Sequence, residues 1–253
     1  MEQIWFKEVE NDLTQMEKKM ARDFRMRAGN IFDFAPVNID FIDLHIRPSL
    51  VFLMTKLFSG DCLKIQPIAS AVQFIHLATL IHYGITDSED KFKPRFPVLI
   101  GLYLYSEFFS YLSQNDALEF LAPLSEVICQ IHVGGILRKE TLEKGNPLEA
   151  NYLDAIKREY GLLMSQACLI PAIQAGVDQH TLEHVKNFGF NVGMALGITR
   201  EENTSFSASV YIDTAEELLP FLPAGSIRDA LQSLIVTIGQ FNPTSIKNHI
   251  CSV

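Results

Sequence analysis

The sequence lacks an excess of positive charge. Its 253 residues carry 30 Asp and Glu against 21 Lys and Arg, a net charge of -9. Nucleic acid is therefore not an expected partner, because no surplus of basic side chains exists to neutralise phosphates. No CxxC pair occurs among the four cysteines, Cys62, Cys129, Cys168 and Cys251. Three of them lie in apolar surroundings, so they read as buried free thiols in a reducing compartment rather than as disulfides or zinc ligands, and the expected localisation is cytoplasmic. No uninterrupted run of about 18 apolar residues is found, so no membrane span is expected. The opening MEQIWFKEVENDL is charged and amphipathic, unlike a signal peptide. Period-two alternation is missing over any useful length, which argues against strands. Internal repeats and low-complexity segments are missing as well.

What is there is apolar side chains in helical rhythm. They make up 48% of the chain, enough for a substantial core. Residues 1–28 read as an N-terminal amphipathic helix, with Phe6, Val9, Leu13, Met16, Met20 and Phe24 at steps of three and four. A connector with Gly29 and Pro36 follows. A second helix is expected to start near Pro48 and to end at Gly60. Ala71–Asp90 reads as a central buried helix. Its residues Val72, Phe74, Ile75, Leu77, Leu80 and Ile81 wrap most of the way round, His76 and His82 sit among them, and Asp87, Glu89 and Asp90 close it. Val98–Leu112 is apolar nearly all round, which fits a core helix or a subunit interface. Ala117–Leu137 is long and apolar, and its Gly134-Gly135 pair should weaken it. A helix from Tyr152 to Ala175 carries Pro171 as an expected kink. Thr181–Gly197 places Gly189, Gly193 and Gly197 on one face. Thr214–Phe221 and Ser226–Gln240, with Ser226 as N-cap, are the last two. The expected fold class is all-α, a single domain over 1–253 built from roughly ten helices.

The order of these landmarks resembles the trans-polyprenyl diphosphate synthases. Arg47-Pro48-Ser49-Leu50, then Ala71-Val72-Gln73-Phe74-Ile75-His76, then Leu80-Ile81-His82 follow the family frame RPLL, AVELIH and LIHDD. Tyr152–Cys168 and the FGFNVGMALGI segment Phe188–Ile198 match two later landmarks in order. The resemblance covers about residues 1–205 and leaves 205–253 as divergent C-terminal helices. It implies the isoprenoid synthase fold. It also implies a chemistry in which an allylic diphosphate ionises and isopentenyl diphosphate adds to the cation. Two DDxxD motifs facing across the helical cavity would hold magnesium ions that neutralise the departing pyrophosphate.

On that frame the charged landmarks depart. The first DDxxD falls on Tyr83-Gly84-Ile85-Thr86-Asp87, leaving one aspartate. The second falls on Arg200-Glu201-Glu202-Asn203-Thr204, with a cation where a metal ligand should stand. The family's FQ becomes Leu196-Gly197, its Lys-Thr pair Glu159-Tyr160, its GQ Gly134-Gly135, and its later Arg-Arg Phe92-Lys93. The lysine and arginine of GGKRLRP become Leu44 and His45, leaving Arg47. His76 matches a histidine that lines the diphosphate pocket.

These departures imply a scaffold kept without its chemistry. Asp87, Glu201 and Glu202 are remnant catalytic positions, and Asp87 is at most a remnant metal ligand; each also reads as an ordinary surface charge. Arg47 and His76 are candidate substrate contacts; Arg47 equally reads as a structural arginine, and a histidine on an apolar helix such as His76 is more often a core histidine. The small Ala78 and Thr79 leave a tunnel for a long prenyl tail or reflect plain helix packing. The implied function is a non-catalytic, regulatory or small, subunit of a heteromeric trans-prenyl diphosphate synthase. It would pair with a catalytic subunit, or with itself, through helices 98–112 and 117–137. The alternatives are a divergent prenyltransferase using Asp87, Glu201 and Glu202, and a homodimeric prenyl-binding pseudoenzyme. No cofactor is expected alone; magnesium enters with residual or partner-supplied activity. A prenyl diphosphate is a possible ligand.

Overall fold

A computed structural model describes residues 3–23, 39–84, 95–143, 149–201 and 206–241. Among these residues every regular element is helical. The order is α1 (Ile4–Lys7), α2 (Glu10–Asp23), α3 (Phe41–Leu57), α4 (Cys62–Tyr83), α5 (Arg95–Gln114), α6 (Leu121–Glu143), α7 (Glu149–Ile156), α8 (Leu162–Gln174), α9 (Gln179–Thr199), α10 (Ser209–Leu218) and α11 (Ser226–Gly239). A 3₁₀ turn, Leu118–Phe120, leads into α6, and a π turn, Lys157–Gly161, joins α7 to α8. The all-α expectation holds.

α3 and α4 form the centre, with nearly every side chain inside. α3 does not start at Pro48. Asp40 is its N-cap and accepts the Asp43 N–H at 2.9 Å, so the helix begins a full seven residues earlier and Pro48 lies within it. Burial of the whole of α3 outweighs the roughly 3 kcal/mol that an interior proline costs. The C-terminal turn is made by Ser59, with φ 58°, rather than by Gly60. Ser226 is likewise the first helical residue of α11 and not its cap; Gly225, with φ 142°, precedes it. α11 returns to the start of the chain, where Trp5 Nε1 donates to Thr237 Oγ1 at 3.2 Å.

The glycines of α9 do what their spacing predicts. A Cβ on Gly189 would meet the Met164 carbonyl at 2.5 Å, one on Gly193 the Tyr160 carbonyl at 2.7 Å, and one on Gly197 the Ile156 side chain at 2.5 Å. α9 thus lies flush along α7, the π turn and α8. Gly193→Ala should lower the unfolding free energy by about 1–3 kcal/mol, because backbone rather than a flexible side chain must yield. Urea titration of the variant measures it; an unchanged midpoint would refute the close fit. α6 runs unbroken past Gly134 and Gly135. A Cβ on Gly135 would meet the Tyr83 hydroxyl at 2.6 Å, and one on Gly134 the Arg158 Cβ at 2.9 Å. The pair makes room for α4 and the π turn.

Cys168 is buried and Cys62 half-buried, and both are free; Cys129 is also free but exposed, against expectation, because it lies on the outer face of α6. That face matters. Leu118–Thr141 is long and apolar enough to cross a membrane by length and composition, though it holds no uninterrupted apolar run of about 18 residues, and only 28% of its most apolar 18-residue window is buried. Val133 and Ile136 stand on its exposed side, and Val98, Leu99, Leu102 and Phe109 on that of α5. So α5 is apolar all round without being buried all round.

Candidate functional site

Where α3 begins and α9 ends, four charged side chains and a histidine are packed together. Arg200, the C-cap of α9, forks onto Asp40, with Nη1 donating to Oδ2 at 2.8 Å and Nη2 to Oδ1 at 2.9 Å. The same Nη1 donates to Asp43 Oδ2 at 3.1 Å. The other Asp43 oxygen lies 3.3 Å from His76 Nε2 and 3.9 Å from Arg47 Nη1. Gln73 Nε2 donates to the Asp43 carbonyl at 3.1 Å. Helix periodicity explains the convergence. Asp43 and Arg47 are one turn apart on α3, and Gln73 and His76 three apart on α4, so each pair shares the facing side of its helix.

The electrostatics follow from burial. Arg47 is 1% exposed, and burial draws its guanidinium down to about 10 while leaving it charged at neutral pH. Burial, reinforced by the charge of Arg47, pushes His76 down to about 4 against the pull of Asp43, so the imidazole is neutral and its Nε2–H donates. Burial alone would raise the Asp43 carboxyl. The bond from His76 and the charges around it, including those of Arg200 and Arg47, outweigh burial and bring it to about 2. With His76 neutral, the two guanidinium groups supply the lasting positive charge. Asp40 and Asp43 balance them.

A second network lies at the ends of α4 and α9. Arg138 on α6 donates from Nε to both oxygens of Glu159, at 3.1 and 2.9 Å, and its Nη1 pairs with Glu201. Glu159 reaches inward because it stands in the π turn, a distortion that re-aims side chains within a helix. The Tyr83 hydroxyl donates to the Ile131 carbonyl at 2.9 Å and lies 3.4 Å from Glu159. Burial and the neighbouring Glu159 hold that hydroxyl firmly in its neutral form.

The sequence-derived positions therefore separate. Arg47 and His76 come together around Asp43, a residue that sequence reasoning passed over although it falls on the second glycine of the GGKRLRP frame. Glu201 does not line their pocket; it pairs with Arg138, another residue missed because its partners lie 21 and 63 positions away. Asp87 and Glu202 lie outside the described residues. Ala78 and Thr79 are buried, and Thr79 Oγ1 is 3.3 Å from the Tyr105 hydroxyl, which in turn meets His132 Nε2 at 3.1 Å. Tyr105 thus packs against Thr79. His45 faces α2 instead, with Nε2 at 3.1 Å from Glu17.

The described donors do not fit a magnesium ion. Such an ion needs unpaired oxygen ligands. Asp40, Asp43, Glu159 and Glu201 all have arginine partners. Among the described residues no group of three or more His, Cys, Asp or Glu is placed to hold a metal.

Comparison with known proteins bears on this arrangement. The sequence model of the family described as polyprenyl synthetase matches residues 44–199. The chain is 26% identical over 204 residues to heptaprenyl diphosphate synthase component 2 of Geobacillus stearothermophilus, a match covering 76% of this chain and 63% of that protein. It is 28% identical over 167 residues to a short chain isoprenyl diphosphate synthase of Methanocaldococcus jannaschii, covering 60% and 51%. The chain thus spans between 51% and 63% of the length of these two relatives. Among solved structures it is similar to the polyprenyl synthase of Caulobacter crescentus complexed with calcium and isoprenyl diphosphate, with TM-score 0.78, 19% identity and coverage of 94% and 97%. It is also similar to the geranyl diphosphate synthase small subunit of Antirrhinum majus, with TM-score 0.68, 17% identity and coverage of 92% and 98%. At these identities the structures speak to the fold.

Proposed function

Because the chain belongs to the polyprenyl synthetase family, we propose that it is the non-catalytic subunit of a heteromeric trans-prenyl diphosphate synthase. The observation that carries this reading is the identity of the side chains at the two motif positions. Tyr83 takes the first and is fixed to Ile131; Arg200 takes the second and is fixed to Asp40 and Asp43. Ionisation of an allylic diphosphate needs cations that leave with, or release, a pyrophosphate. A guanidinium already committed to two carboxylates supplies no such charge.

The partner would be a homologue that carries both aspartate motifs. The name of the Geobacillus relative, one component of a heptaprenyl diphosphate synthase, supports assembly of this kind. So does the outer face of α5 and α6. Tyr105 on α5 meets His132 on α6, and the two helices expose Leu99 at 60%, Leu102 at 52% and Ile136 at 62%. Exposed apolar side chains of this size suit an interface.

Co-expression with a DDxxD-bearing homologue, followed by affinity capture and product analysis, tests the reading. A stable complex with altered product length or increased turnover is expected. The proposal fails if no complex forms and the partner's activity and products are unchanged, or if this chain alone releases pyrophosphate from allylic and isopentenyl diphosphates with magnesium. The Leu102→Glu/Ile136→Glu double variant should weaken the complex by roughly 100-fold or more, since two buried charges at an apolar contact cost several kcal/mol. Its circular dichroism should match the parent, because both side chains are already in solvent. Sedimentation analysis with the catalytic chain reads the difference.

A further inference from the structure

The histidines of this chain are used in different ways. His45 and His76 each point a ring nitrogen at a carboxylate, His82 points one at the Val98 carbonyl, and His132 one at the Tyr105 hydroxyl. His180 and His184 meet each other instead. They lie one turn apart on α9, on the same face, with ring centres 4.4 Å apart and planes at 83°. His184 Nε2 is shielded from solvent and has no hydrogen-bond partner among the described residues. A covered ring nitrogen left without a partner is costly, so its retention asks for a reason. Phe221, in the 3₁₀ turn Leu219–Phe221 after α10, stacks flat on the His184 ring, with centres 4.4 Å apart and planes at 10°. That contact fixes the inner ring. His180 is exposed, so an ion can reach the pair from solvent.

We propose that His180 and His184 form a two-imidazole chelate for a divalent transition ion of the zinc or nickel class, with water completing the coordination. The spacing suits it. With metal–nitrogen bonds of about 2.0–2.1 Å, two imidazoles on one ion, at angles between square and tetrahedral, hold their ring centres roughly 4.5–5.2 Å apart. The observed pair needs only a small turn of the exposed His180 ring to reach that range. Imidazole nitrogen also selects the ion: it suits zinc and nickel, whereas magnesium takes oxygen. The nearby carboxylates are engaged elsewhere. Asp178 spends its oxygens on the N–H groups of His180 and Thr181 and on the Thr181 hydroxyl, and Glu183 lies 3.6 Å from Lys186. Two protein ligands are fewer than the four of a structural zinc, so the ion is exchangeable. Bound, it ties the first turns of α9 together and holds His184 against Phe221. The site is at the opposite end of α9 from Arg200 and stands independently of the subunit reading.

Isothermal titration calorimetry of the full chain, free of any histidine tag, with zinc chloride and separately with nickel chloride tests it. Wild type should take up one ion per chain. His180→Ala and His184→Phe should each weaken binding at least about 10-fold, because losing one arm of a chelate removes the advantage of an intramolecular second ligand. Both variants should fold as wild type by circular dichroism: His180 is exposed, and a phenylalanine at 184 keeps an aromatic ring on Phe221. Thermal melts give a second readout, in which nickel raises the melting temperature of wild type and of neither variant. The proposal is overturned if wild type takes up neither zinc nor nickel, or if His180→Ala binds as tightly as wild type. It is also overturned if binding survives both variants and is lost with His132→Gln, which would place the ion beside Tyr105 instead.

Discussion

Arg200→Met lowers the unfolding free energy by about 3–5 kcal/mol, the cost of leaving a buried carboxylate without its partner. The wild-type guanidinium makes three hydrogen bonds to Asp40 and Asp43, and Asp43 is 4% exposed. Methionine fills much of the same volume, so packing accounts for little of the loss. Two carboxylates then face each other with only Arg47 and a neutral His76 nearby. One of them must take up a proton or draw in water. The loss should therefore shrink as the pH falls towards 4, because protonation of either aspartate relieves it. Urea titrations of wild type and variant at pH 7.5 and pH 4.5 measure both effects. A loss under 1 kcal/mol at pH 7.5 would show the ion pair to be incidental to the fold. Arg200→Lys should recover only part of the stability, since an ammonium cannot fork onto Asp40 while also holding Asp43.

The second large effect is on acid stability. His76 titrates at 6.5 in the unfolded chain and near 4 in the native one. Between those values the unfolded chain binds a proton that the native chain does not, so stability falls as the pH falls. The loss amounts to roughly 3 kcal/mol by pH 4, at 1.36 kcal/mol for each pKa unit. Asp43, near 3.8 unfolded and about 2 folded, extends the decline below pH 4 by about 2 kcal/mol. His132, also pushed down by burial, adds a smaller slope of the same sign. Glu159 runs the other way: burial raises its carboxyl, which favours the native state as the pH falls through its range and offsets part of the slope. His76→Gln keeps a donor toward Asp43 and removes the titration. Its stability between pH 7.5 and 4 should change by at least about 2 kcal/mol less than that of wild type. Parallel pH profiles for the two proteins would exclude His76 as the origin.

Helices were legible in the sequence wherever burial and periodicity agree. α4 and α9 show this: six wrapped apolar residues mark the first, and a glycine every fourth position marks the contact face of the second. Boundaries were less legible, because a cap is a local bond that competes with tertiary packing. Pro48 looks like a helix start, yet Asp40 had the side chain to begin α3 sooner, and the core holds the proline inside. α5 reads as fully buried because composition records which side chains are apolar, not which are covered. At the site, the family frame pointed to Arg200 by a departure and to Arg47 and His76 by a match. Asp43 and Arg138 were invisible for a physical reason. Neither is a residue that the family frame marks as functional, and each gains its role mainly from charges brought in by other elements. Arg200 and Asp43 are 157 residues apart.

The two ion-pair networks also constrain what can be built into this chain. Arg138 and Arg200 hold carboxylates on other elements, so no single substitution introduces a set of free acidic ligands cleanly. An aspartate at position 200 would set three carboxylates together, and a lysine at 159 would place a second cation beside Arg138. Either step alone strands a buried charge at about 3–5 kcal/mol, a large share of the 5–15 kcal/mol that keeps a domain folded. Engineering a metal-binding cavity here would require coordinated changes on α3, α6, α9 and the π turn, with intermediates of low stability. The same bonds that steady the native state thereby make the chain resistant to stepwise redesign.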